Sequence, residues 1–188
     1  MMFSGNGKNM MTGSPTEALQ TSRLPLSFYT RDVLQVAPGL IGKIIVLRND
    51  DGTKRKLIIT ETEAYRGSED LACHASKGRT PRTEVMFHRG GKVYVYFVYG
   101  MYWMLNFVAG GEDEPQAALI RGVEGFSGPG RLTKALGIDR SFYGLDLSAS
   151  ERMWVEDSGI QPLVKTGKRI GINYAGEEWV NKPWRYYI

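Results

Sequence analysis

Cysteine is almost missing from this chain: Cys73 is the only one in 188 residues. One thiol cannot close an intramolecular disulfide or supply a multi-cysteine zinc site. With only two histidines, His74 and His88, a metal centre built from protein ligands is poorly supplied as well. Long apolar runs are also lacking. Nothing reaches the roughly 18 uninterrupted apolar residues of a membrane-spanning helix, and the first 23 residues have no apolar core of a signal peptide. The expectation is an intracellular protein of the cytoplasm or nucleoid, with no membrane partner and a bacterial source. An excess of one charge sign is scarce too, since 24 basic against 20 acidic side chains leave a net +4 that names no partner.

What is present is ordinary globular usage, 42% hydrophobic and 23% charged, which excludes disorder throughout. A chain of this length fits one domain that buries roughly 70% of its unfolded surface. The small surplus of charge is concentrated. Residues 74–92 hold Lys77, Arg79, Arg82, Arg89 and Lys92 against Glu84 alone, together with both histidines, so the rest of the chain is neutral.

Along the chain, residues 1–22 read as a disordered tail and 23–188 as one domain. Pro25 to Gly39 has helical spacing for one or two short helices. Leu40–Arg48 and Lys56–Tyr65 are β-rich runs around Asn49-Asp50-Asp51-Gly52, a strong hairpin signal, and should pair antiparallel. Residues 66–92 lack a period and read as a long ordered loop with one turn of helix, and loops of that length are usually functional. Residues 93–108 carry no charge and seven aromatics, a pattern of two strands around Tyr99-Gly100-Met101. Ala117–Arg121 is a further strand and Arg131–Leu136 a helix; Met153–Glu156, Val164–Ile172 and Trp179 to Tyr187 read as strands or edge segments. The fold class expected is α+β, a single domain with a mostly antiparallel curved sheet, flanking helices and a protruding aromatic hairpin.

Three constellations could carry chemistry. Leu57, Ile59, Glu61, Glu63 and Tyr65 alternate along one strand and share a face, a row that starts apolar and ends in two carboxylates and a phenol. Neighbouring carboxylates raise the proton affinity of at least one, which suits a general acid or base, although a solvated strand end has the same spacing. The aromatic hairpin must supply core strands. Tyr99 at its tip, however, cannot face both core and turn, and an exposed aromatic beside a basic loop suits base stacking. Gly128-Pro129-Gly130 opens a helix whose free amides could meet a phosphate, or could be an ordinary helix start. His74 and His88 could each be structural, His74 being the better placed for a site.

Taken in order, Glu-Thr-Glu-Ala-Tyr (61–65), Glu-Asp-x-x-x-His (69–74), Thr-Pro-Arg (80–82), Met-Phe (86–87), Tyr-Val-Tyr-x-x-Tyr-Gly-Met-Tyr (94–102), Asn106, Leu-Ile-Arg (119–121), Gly-Pro-Gly-Arg-Leu (128–132) and Arg-Ile-Gly-Ile (169–172) closely resemble the alkyladenine (3-methyladenine) DNA glycosylase family. The resemblance runs from about Leu24 to Tyr187. It implies a monofunctional glycosylase, acting as a monomer on double-stranded DNA, that flips out alkylated or deaminated purines and cuts the N-glycosidic bond without metal or organic cofactor. It further implies Glu63 as general base, with Arg121 and the carbonyl of Ile170 helping to hold the water. Tyr65, His74, Tyr96 and Asn106 would form the base pocket, Tyr99 would be the intercalating wedge, and Thr80, Arg82, Met86, Gly130 and Arg131 would contact the DNA backbone. Glu61 is then a structural or pKa-tuning neighbour.

Two departures from the family stand out: a long acidic loop, Ala109–Gln116, and few charges in residues 1–22. A catalytically silent nucleic-acid-binding module of the same fold is the alternative, and Glu63 discriminates, because a binder needs no carboxylate there. A glycoside hydrolase fails on geometry, since its two carboxylates must flank the bond from opposite sides.

Overall fold

The computed structural model describes Met1 and residues 22–188. The tail expected over 1–22 therefore lies, but for Met1 and Ser22, outside the described residues. In chain order the elements are β1 (Ser22–Arg23), α1 (Leu26–Tyr29), α2 (Val33–Gly39), β2 (Ile44–Arg48) and β3 (Lys54–Arg66). After the basic segment come β4 (Val93–Val98), β5 (Tyr102–Ala109), β6 (Gln116–Val123), β7 (Phe126–Ser127) and α3 (Pro129–Leu136). The remainder supplies β8 (Met153–Asp157), β9 (Lys165–Gly167), α4 (Glu177–Asn181) and β10 (Arg185–Tyr187).

The strands form one antiparallel sheet in the order β1-β8-β2-β3-β6-β5-β4, with β10 on β3, β9 on β10 and β7 on β6. The class is α+β, as the spacing predicts, and the β2–β3 and β4–β5 hairpins pair as expected.

Alternation along the strands creates two buried faces. Val93, Val95, Leu105, Phe107, Ala118 and Ile120 point to the main core, against which α2 and α3 pack. Their neighbours Tyr94, Val108 and Ala117 point the other way and meet Cys73, Ala75, Val85 and Met86. The segment between β3 and β4 is thus ordered because it roofs the second face of the sheet, and it does so with two 3₁₀ turns, His74–Lys77 and Glu84–Phe87, rather than one. Cys73 lies under that roof, where burial pushes its thiol up to about 12, so it stays protonated.

Local chemistry fixes the helices. Asp32 caps α2, accepting from Leu34 N at 2.8 Å, and the same carboxylate holds Arg66 at the end of β3. Buried Thr62 donates to Ala37 O at 2.8 Å and ties α2 to the strand that carries the acidic row. At Gly130 a side chain would drive a Cβ to 2.7 Å from the Tyr102 ring, so glycine there lets α3 lie flat on the hairpin.

Three expectations need correcting. The β3 row is not continuous, because the register with β6 shifts between Ile59 and Glu61 and again between Glu61 and Thr62. Only Lys165–Gly167 of the run Val164–Ile172 is a strand. Trp179 lies in α4, whose first turn carries Glu177 and Glu178, favourable at a helix N-terminus, so only Arg185–Tyr187 of the aromatic tail is a strand. The acidic loop that departs from the family faces the basic segment: Arg79 pairs with Asp113 and Glu84, and Glu112 accepts from Arg89 N at 2.8 Å. Of the five cations there, Arg79 alone is neutralised by that loop, and Lys92 pairs with Asp146 instead. Lys77, Arg82 and Arg89 carry no carboxylate ion pair among the described residues.

Candidate active site

The site lies where β3 is shared. Its first half pairs with β2, and Glu61 to Glu63 pair with β10 on one side and β6 on the other. At the register shift, Glu61 faces Gly122 and Thr62 faces Ile120, which leaves Arg121 of β6 without an opposite number. That bulge turns the Arg121 side chain onto the two carboxylates. Its Nε lies 3.1 Å from Glu61 Oε1 and 3.5 Å from Glu63 Oε1. Arg185 of β10 adds a second guanidinium, 3.3 Å from Glu61 Oε1.

Glu63 is completely buried. Its Oε1 accepts from the Ile170 N–H at 2.8 Å and its Oε2 from the Tyr65 hydroxyl at 2.9 Å. Burial raises its proton affinity most; Arg121, the Ile170 amide and the Tyr65 hydroxyl pull it back, and Glu61 adds to the rise. The net result is a carboxyl above the usual carboxylate range, with three groups that favour its charged form. Ile170 thus meets Glu63 through its N–H.

In front of these groups opens a cavity of about 480 Å³. Tyr65, His74, Tyr96 and Asn106 all line it, as do Tyr99, Arg82, Met86, Arg121 and Ile170. Glu63 does not: it sits directly behind Tyr65, Arg121 and Ile170. The volume falls within the ordinary range for small-ligand sites.

His74 meets Tyr96 edge-on, with ring centroids 4.5 Å apart, and its Nδ1 lies 2.9 Å from the Tyr94 hydroxyl. Burial, then Arg82 and Lys77, lower its pKa to about 4, so the imidazole is neutral at pH 7. Asn106, on β5, anchors its amide nitrogen to the carbonyls of Tyr94 and Met104. Tyr99 and Gly100 both have positive φ, at 53° and 65°, in a turn closed by Met101 N–H to Val98 O. Tyr99 is accordingly turned outward, 86% exposed.

The five residues singled out for backbone contact divide. Arg82 is exposed and lies over the Tyr96 ring at 5.1 Å. Arg131 and Thr80 are exposed away from the cavity lining. Met86 is buried with its N–H donated to Thr83 O, and Gly130 is the flat contact on Tyr102.

Sequence reasoning missed Tyr94 and Tyr174, which also line the cavity. It missed as well the buried pair of Asp70 and Arg169, whose Nη1 lies 2.5 Å from Asp70 Oδ2 and whose Nη2 lies 2.9 Å from Oδ1. Both residues belong to the quoted motifs, so position was the available signal. Arg169 also stacks over the Tyr65 ring at 4.9 Å and donates to Ala64 O, holding β3 against the segment that carries Ile170.

Comparison with known proteins agrees on one family. The family model for methylpurine-DNA glycosylase matches residues 27–128 and 124–188. A protein of Psychrobacter cryohalolentis is 44% identical over 82% of this chain and 87% of its own length. One from Methanocella arvoryzae is 42% identical, covering 87% of this chain and 91% of its own. One from Rickettsia felis is 43% identical, covering 88% and 92%. All three are provisionally named 3-methyladenine DNA glycosylases.

Proposed function

The chain belongs to the methylpurine-DNA glycosylase family, a family of hydrolases of N-glycosyl bonds, and from that premise we propose that it excises alkylated and deaminated purines, 3-methyladenine, 7-methylguanine, hypoxanthine and ethenoadenine among them, from double-stranded DNA. The observation that carries this reading is Glu63: a fully buried carboxyl of raised proton affinity, directly behind an aromatic cavity and steadied by Arg121, Tyr65 and the Ile170 amide.

In the proposed reaction the damaged nucleotide leaves the stack, at a cost of a few kcal/mol for unstacking, and Tyr99 fills the space. The purine enters between Tyr65 and the His74–Tyr96 rings. Because His74 is neutral at pH 7, it can hydrogen-bond the purine edge without repelling a lesion that already carries positive charge. The fixed amide of Asn106 disfavours the exocyclic amine of normal guanine. A water on the Arg121 and Ile170 side loses its proton to Glu63 as its oxygen attacks C1′, and the electron pair of the broken bond leaves with the purine. A cationic purine is a good leaving group by itself, so one base and a stabilised sugar cation suffice.

The test is incubation with duplexes that carry one hypoxanthine, one ethenoadenine or methylated purines, followed by alkaline cleavage at any abasic site. Strand cuts at the lesion are the expected result. No cut in any of the three substrates overturns the reading.

A further inference from the structure

Among the described residues the sheet ends at β4, and an end strand presents N–H and C=O groups that no further strand satisfies. Where β4 begins, that outer side is used: Val93 N–H donates to Leu145 O and Gly144 N–H donates to Val93 O, each at 2.8 Å. In an antiparallel ladder alternate residues face the same side, so the amides of Val95 and Phe97 also point outward, where no strand follows among the described residues.

A second cavity, of about 440 Å³, runs along this stretch. Its apolar wall is Phe97, half-exposed, tilted against Trp103 with ring centroids 5.0 Å apart. Arg82 and Arg140 border it, and neither has a carboxylate partner among the described residues. Arg82 also lines the larger cavity, so the two spaces share one wall.

Two guanidiniums without acidic partners and two main-chain donors without acceptors among the described residues make this a place for an anion. Pairing by another strand fits poorly. Such a strand would bury both arginines without partners, and the open edge spans little more than Val95 to Phe97.

We propose that this groove seats a phosphodiester of the DNA strand, held by Arg82, Arg140 and the amides of Val95 and Phe97, with the attached deoxyribose against the Phe97–Trp103 rings. The inference rests on the reading of the chain as a DNA glycosylase. Because the groove lies across Arg82 from the lesion cavity, the phosphate belongs to a neighbour of the lesion nucleotide. Binding there is independent of damage.

The test is Arg140→Gln, at an exposed side chain, with binding followed by fluorescence anisotropy on an undamaged duplex and on the same duplex with one hypoxanthine. Loss of one phosphate contact flattens the slope of log Kd against log salt by about 0.9. The variant's deficit at about 50 mM salt is then about three- to fourfold larger than at about 200 mM. The same flattening on both duplexes, with the slope kept by Arg140→Lys, supports the proposal. An unchanged slope on both overturns it, as does a wild-type dimer in sedimentation that Arg140→Gln disperses, which would make the edge a seat for a second copy. If the wild type releases no base from any lesion, the glycosylase reading fails by itself. The slope on undamaged duplex still decides whether the groove holds a phosphate.

Discussion

The Tyr65 hydroxyl donates to Glu63 Oε2 across 2.9 Å, from two residues further along the same strand. This bond opposes burial. Burial lifts the proton affinity of Glu63, and Tyr65 is one of three groups that favour the charged form a general base needs.

Tyr65→Phe should therefore raise the pKa of Glu63 further. The charged base is then lost at a higher pH on acidification, and the acid limb of single-turnover base release moves up the pH scale. A pH–rate profile on an ethenoadenine duplex measures the shift. A limb that stays in place assigns it to a group other than Glu63.

Glu63→Gln keeps the size and shape of the side chain but cannot accept a proton. Release should fall by about 10²–10⁴, the usual contribution of a general base, while affinity for the lesion duplex stays close to wild type. Gel shift and single-turnover cleavage separate the two effects. If release survives, the base is another residue.

Tyr99 adopts a left-handed conformation, φ 53°, that glycine takes without the penalty of a Cβ. Tyr99→Gly should raise stability by about 1 kcal/mol and at the same time weaken lesion binding, because the aromatic wedge is gone. Tyr99→Ser should weaken binding with no such gain. Thermal melts beside binding curves check both signs, and undiminished lesion affinity in the two variants removes the wedge role.

His74 has a folded pKa of about 4 against 6.5 in the open chain. As the pH falls from 6.5 the unfolded chain takes up the proton first, so the stability that neutral His74 maintains near pH 7 is lost progressively down to pH 4. His74→Phe should flatten this part of the profile of Tm against pH. Equal slopes in wild type and variant would place the acid sensitivity elsewhere.

Locally encoded features were legible in the sequence. Alternation and turn residues located the β2–β3 and β4–β5 hairpins, and the positive φ that Gly100 accepts turned Tyr99 outward. The spacing of Glu61, Glu63 and Tyr65 placed them together, and they do share partners. What escaped depends on distant contacts. No local pattern announces that Arg169, 99 residues from Asp70, pairs with it inside the protein, or that the β6 register slips at Arg121. The aromatic run at Trp179 suggested a strand because aromatics favour sheets, whereas the two glutamates before it start a helix. Nor could spacing reveal that Glu63 stands behind the cavity wall, since that requires Ile170, 107 residues away, to cover it.

The sharing of β3 by three strands has a kinetic consequence. Glu63 faces Leu119 on β6 and Arg185 on β10, so its surroundings are complete only when segments far apart in the chain have closed onto one strand. Each closure costs chain entropy before any contact repays it, and folds dominated by such contacts form slowly. The two hairpins, by contrast, join neighbouring segments. A refolding chain can therefore recover most of its β-structure while the carboxylate still stands open to water, with neither its covering nor its raised proton affinity yet established.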